Sequence, residues 1–232
     1  MTSRSSARAA LFAAATAAAS LAVAPACAVS LGQSDSFQDG STQGWRVGPA
    51  HPLPPVVITT GGPGGAGDAF LQVQATGGAG PASRLAVENT LQWTGDYTAA
   101  GVTALTLDAF NFGPSDLALR LLFDGSDGSA FARAWSTTPV LLAAGSGWQQ
   151  LRFAITPADL TAEGGGSIAL ALSQTYSFRL FHGTASSFPG GAVVATLGID
   201  NVTAVPEPAA ALLLALGLGA LVLLRRRQAG SV

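Results

Sequence analysis

From residue 29 to residue 204 the sequence holds no apolar pattern long enough, at helical period, to build a packed helix. It holds short runs in which apolar and polar residues alternate, closed by glycine or proline. The whole chain has 29 glycines and 13 prolines, which suits a turn-rich β protein. Residues 70–76 are the clearest run: Leu71, Val73 and Ala75 point one way, Gln72 and Gln74 the other. Residues 102–112 repeat the pattern through Leu105, Leu107 and Ala109. Further strands are predicted within 34–47 and over 85–89, 117–123, 131–135, 140–142, 149–155, 168–173, 176–181 and 193–202. Residues 124–128 read as a hairpin turn, and 156–160 as a single helical turn with Thr156 at the N-cap and Pro157 after it. A parallel α/β architecture needs crossover helices that this stretch lacks. The fold class predicted is therefore all-β: a β-sandwich whose two sheets bury the alternating apolar residues.

Charge narrows the partners. Residues 29–204 carry six arginines against twelve acids, a net of −6, and no lysine occurs anywhere. A nucleic-acid partner would need a basic face, so no nucleic acid is expected.

Both ends read as targeting segments. Arg4 and Arg8 precede an apolar run over 9–24, and Ala26-Cys27-Ala28 offers small residues for cleavage. Cleavage after Ala28 would give a signal peptide over 1–28 and remove Cys27, the sole cysteine. The alternative, an acylated Cys27, has a poor lipobox in Ala24-Pro25-Ala26. At the other end stand Val205, Pro206, Glu207 and Pro208, then an uncharged run of Ala, Leu, Val and Gly over 209–224, then Arg225, Arg226 and Arg227. The prolines forbid a continuous helix. The apolar run reads as one transmembrane helix, and the arginines as a stop-transfer signal held on the cytoplasmic side. The domain over 29–204 would then lie outside the cytoplasm.

The ending over 205–232 resembles the PEP-CTERM sorting signal. That resemblance implies an exported protein, held briefly in the inner membrane, processed by an exosortase-type enzyme and released to the cell surface or extracellular matrix. It also implies a link to exopolysaccharide and biofilm. An unprocessed single-pass membrane protein is the alternative. A second resemblance is carried by Phe37, Asp39-Gly40 and Gly44-Trp45, by Gly147-Trp148, by Phe178 to His182, and by Ile199-Asp200-Asn201-Val202. Together these are similar to ectodomains with a jelly-roll, carbohydrate-binding-module-like sandwich.

No catalytic set assembles from the residues. His51 and His182 are the only histidines, no G-x-S-x-G surrounds a serine, and Glu88 and Glu163 are the only glutamates before Val205. The chain is not expected to be an enzyme; a secreted polysaccharide-active enzyme is the alternative. The jelly-roll resemblance implies a structural calcium, pointing at Asp39 and Asp200 as ligands; turn capping by side-chain hydrogen bonds is the competing reading for Asp200-Asn201. Asp124 and Asp127 form a second acidic turn without an EF-hand pattern. A glycan platform is expected from Trp93 and Tyr97, which flank the loop-like Thr94-Gly95-Asp96, while Trp45 and Trp148 are expected to pack the sandwich. Asn201-Val202-Thr203 matches a glycosylation sequon by coincidence. The function expected is that of a structural or glycan-binding component of an extracellular polysaccharide matrix.

Overall fold

A computed structural model describes residues 28–206. The segments expected to be the signal helix and the transmembrane helix over 209–224 lie outside the described residues, as do Glu207, Pro208 and Arg225 to Arg227. Among the described residues no helix is long and apolar enough to cross a membrane.

The described chain is an all-β sandwich of two antiparallel sheets. One contains β1 (Ser34–Asp35), β3 (Val56–Ile58), β4 (Phe70–Thr76), β6 (Ala104–Asn111), β10 (Gln149–Ala154) and β13 (Val194–Val205). Its order is β10-β6-β13-β4-β3, with β1 also on β13. The other contains β2 (Trp45–Arg46), β5 (Ala86–Asn89), β7 (Leu117–Ser126), β8 (Phe131–Ser136), β9 (Val140–Leu142), β11 (Leu160–Ala162) and β12 (Thr175–His182). Its order is β11-β8-β7-β12-β5-β2, with β9 also on β7. Successive strands pass back and forth between the layers, so each sheet is completed only by residues far apart in sequence.

The alternation read from the sequence is what fills the interior. Leu71, Val73 and Ala75 of β4, Leu105, Leu107 and Ala109 of β6, and Leu119, Leu121 and Phe123 of β7 share one buried cluster. Trp45, Trp93, Tyr97 and Phe178 complete it at one end. Their rings meet at tilted or edge-on angles, as between Trp45 and Phe178 at 5.6 Å and Tyr97 and Phe123 at 5.0 Å. Burying side chains of this size is worth about 1.5–3 kcal/mol each. One carboxylate anchors that end: Asp35 accepts the indole N–H groups of Trp45 at 2.7 Å and Trp93 at 2.6 Å.

The strands β3 and β11 are not among those predicted, and two predicted elements take another form. Residues 168–173 are not a strand but a short helix, α1 (Ile168–Ser173), capped by the Ser167 hydroxyl, which accepts the Leu170 N–H at 3.1 Å. Its Ile-Ala-Leu-Ala-Leu alternation suits a strand, but alanine and leucine also favour helix, and the serine decides the start. Nor do Asp124 and Gly125 turn; both continue β7, and the turn follows at Asp127, whose Oδ1 accepts the Ser129 and Ala130 N–H groups. The helical turn at Pro157–Asp159 is present as a 3-10 turn, with Thr156 and Asp159 forming a capping box.

Candidate functional site

The outward phase of the seven-stranded sheet carries a row of charges that strand register puts side by side. Arg46 of β2 lies opposite Glu88 of β5, and Glu88 opposite Arg179 of β12. Asp124 of β7 lies opposite Arg133 of β8. The side chains close into an alternating chain. Glu88 holds Arg46 at 3.1 Å and Arg179 at 2.8 Å. Asp124 holds Arg179 at 2.9 Å and Arg133 at 2.6 Å, and Arg133 reaches Glu163 at 3.5 Å. Burial pulls the Arg133 guanidinium down, but the hydrogen bond and charge of Asp124 more than offset this and leave it above its ordinary range. Burial, then the charge of Asp124, pushes the Tyr176 hydroxyl up. At the outer end of this row the rings of Phe131 and Tyr176 stand about 6 Å apart, each roughly half exposed.

Beside the charges, Leu122, Trp135 and Phe181 form a small apolar cluster of their own on the outer face. The segment over 183–190 lies across it. Phe188 meets Phe181 edge-on at 5.4 Å and sits under the guanidinium groups of Arg133 at 5.0 Å and Arg179 at 5.3 Å. Buried Arg120 ties this segment down, donating from Nε to the Gly183 carbonyl at 2.8 Å and from Nη1 to the Ser136 and Thr137 carbonyls. The Trp135 indole donates to Ser186 Oγ at 3.0 Å.

A pocket of about 480 Å³ opens between this segment and residues 48–51, which lead into the proline-rich stretch over 51–55. Glu88, Arg133 and Arg179 belong to its lining, with Phe188 and Pro189 on one side and Pro49 and His51 on the other; Arg84 also lines it. Aromatic and proline surfaces beside planar, fixed polar groups make a site able to hold a polar ring by one face and its edges. Both oxygens of Glu88 and both of Asp124 are engaged by arginines.

The residues expected to form a glycan platform or a calcium site lie elsewhere. Trp93 and Tyr97 are fully buried, and this corrects the expected glycan platform. Trp93 is fixed by Asp35, and the Tyr97 hydroxyl donates to the Trp93 carbonyl at 2.8 Å. Burial alone holds that hydroxyl well above its ordinary range. Trp148 does not pack between the sheets; it leans on Phe70 at 5.1 Å on the outer face of the six-stranded sheet. His182 is structural: its Nδ1 accepts the Ala118 N–H at 3.0 Å, and burial lowers its pKa.

Asp39 and Asp200, the expected calcium ligands, stand in different settings. Asp39 is exposed and accepts the Ser41 N–H and hydroxyl, each at 2.9 Å. Asp200 is buried, with Oδ1 accepting the Asn201 N–H at 2.8 Å and Oδ2 without a partner. Burial, together with the charges of Asp68 and Asp108, pushes its carboxyl up to about 7. An oxygen left unmet in an acidic setting suits a hard cation such as calcium in its donor chemistry. Among the described residues, however, no three His, Cys, Asp or Glu side chains converge into a metal-holding group.

The charge row was missed in sequence, although it left a signal there. Arg179 and Arg133 are single charges in otherwise apolar or small-residue runs, Phe178-Arg179-Leu180 and Ala132-Arg133-Ala134. A charge at the outward phase of such a strand marks a face that does more than meet water.

Residues 204–228 match the PEP-CTERM protein-sorting motif. No curated protein matches the chain in sequence. Among solved structures, the chain is similar to an exo-beta-agarase at 15% identity and a TM-score of 0.50, over 77% of this chain and 25% of that one. It therefore spans about a quarter of the agarase chain. It is also similar to a family 11 carbohydrate-binding module from Clostridium thermocellum, at 12% identity and a TM-score of 0.48 over 76% of this chain and 97% of the module. A further likeness is to the non-crystalline cellulose specific module CBM28, at 10% identity and a TM-score of 0.47 over 78% and 99%.

Proposed function

We propose that this chain is an exported glycan-binding protein of the cell surface or extracellular polysaccharide matrix, and that it binds without catalysis. The observation that carries the reading is the pocket on the outer face of the seven-stranded sheet, where Phe188 and Pro189 stand beside Glu88, Arg133 and Arg179. A sugar ring has an apolar face and a rim of hydroxyls. Phe188 offers the surface for the face, and the fixed arginine and glutamate groups offer partners for the rim. The sorting motif over 204–228 supports an extracytoplasmic setting, where polysaccharide is the abundant polymer. On this reading the chain passes through the inner membrane and is cut by an exosortase-type enzyme. The carboxylates nearest the pocket are committed to guanidinium groups, which suits fixed recognition better than proton transfer.

The test is affinity electrophoresis of the full chain through gels holding single polysaccharides, with Phe188→Ala beside the parent. Retardation by at least one polysaccharide is expected, weakened about tenfold by the substitution, as loss of one stacked ring would give. A chain retarded by none would overturn the binding reading. Release of new reducing ends from the retained polysaccharide would overturn the non-catalytic one.

A further inference from the structure

The pocket has a charge that the rest of the domain does not prepare for. Residues 29–204 hold twice as many acids as arginines, yet three of the six arginines, Arg84, Arg133 and Arg179, line this pocket. A fourth, Arg46, stands beside it on Glu88. Glu88 is the only acid of the lining.

The arginines are not equivalent. Arg46, Arg133 and Arg179 are neutralised within the row of ion pairs. Arg84 is exposed and, among the described residues, forms no ion pair. On the facing wall, His51 Nδ1 accepts the Leu53 N–H at 3.2 Å, which leaves the ring proton on Nε2. That Nε2 is buried without a hydrogen-bond partner. That atom is closed to solvent and offers a ligand no donor, so the pocket holds one free cation, the Arg84 guanidinium, without a counter-charge among the described residues. The lining carboxylate, Glu88, is already shared between Arg46 and Arg179.

We propose that the saccharide taken by this pocket is anionic, with a ring carboxylate or sulfate that accepts from the Arg84 guanidinium. This rests on the glycan reading above and adds the substrate class. A neutral sugar leaves the Arg84 charge unanswered; an oxyanion substituent answers it and offers the guanidinium fork two oxygens. The excess of acids elsewhere on the domain repels polyanions in general, so attraction is confined to this one face.

Isothermal titration of the full chain tests the proposal with four probes: an oligogalacturonate, its methyl ester, a sulfated dextran oligosaccharide and a neutral cello-oligosaccharide. At least one of the two charged probes is expected to bind about tenfold or more tightly than both uncharged ones, and to weaken as salt rises. Which of the two prevails identifies carboxylate or sulfate. Arg84→Gln is expected to remove that preference. Arg152→Gln, on the other sheet, is expected to keep it, and both variants should melt as the parent does. Equal binding of charged and uncharged probes, or a preference that survives Arg84→Gln, would overturn the anionic assignment and leave glycan binding standing. Absence of binding to all four would overturn the anionic assignment, and retardation in the polysaccharide gels decides separately whether glycan binding stands.

Discussion

Asp35 and Asp200 are both buried carboxylates, and burial is the first cause that raises the pKa of each. They differ in what opposes it. Asp35 accepts Trp93, Trp45 and Gln92, so its charge is largely answered by fixed donors. Asp200 has only the Asn201 N–H, and Asp68 and Asp108 add to the burden. Because its folded pKa is raised from 3.8 to about 7, Asp200 favours the fold fully below the lower value. That contribution is lost as pH rises through the upper one. In chelator, the melting temperature of the parent is expected to fall between about pH 4 and about pH 7 more than that of Asp200→Asn, which copies the protonated acid. Parallel curves would show that Asp200 does not titrate in this range. Calcium that restores the parent at the alkaline end, but not the variant, would place the ion on Asp200.

At the scale of elements, the charge row and α1 are both made by contacts across strands. The row alternates sign over β2, β5, β12, β7 and β8, so each carboxylate bridges two arginines and no like charges face each other. The helix is seated on β7 because Gly125 has no side chain. A Cβ there would stand 2.5 Å from the Leu170 carbonyl oxygen and 2.7 Å from Ala171 Cα, both rigid backbone. Gly125→Ala is therefore expected to lift α1 off the sheet and to cost about 2–3 kcal/mol in a denaturant titration. A loss under about 0.5 kcal/mol would mean that the helix shifts freely. This contact also explains the strand expected over 168–173. The alternation of Ile-Ala-Leu-Ala-Leu fits a strand as well as a short helix; the Ser167 cap and the seat that Gly125 leaves on β7 together select the helix.

For the whole molecule, the domain's last strand runs directly into the sorting motif. β13 is central in its sheet and ends at Val205, and the motif match begins at residue 204. A cut at or beyond Pro206 would leave the strand paired, since β13 bonds to β6 through Val205 opposite Ala104. Intact mass of the protein recovered from the cell surface and medium is expected to lack residues 1–28 and everything near or beyond Pro208, the apolar run and the arginines included. A recovered mass that still includes Arg225 to Arg227 would make this an anchored domain and end the sorting-and-release reading.

Strand alternation and turn residues were enough to settle the all-β class and most of the core, because period-two burial is written residue by residue, as at Leu71, Val73 and Ala75. The sorting motif was equally legible, being a local string of residues that needs no partner. The site was not. Glu88, Asp124, Arg133 and Arg179 are up to 91 residues apart, and only antiparallel register brings them into one row. Trp93 and Tyr97 show the converse: their local setting resembles an exposed loop, yet Asp35, 58 residues before Trp93, draws it into the core. Local sequence decides which residues face in; the pairing of distant strands decides which outward-facing residues meet, and a binding face is made of those meetings.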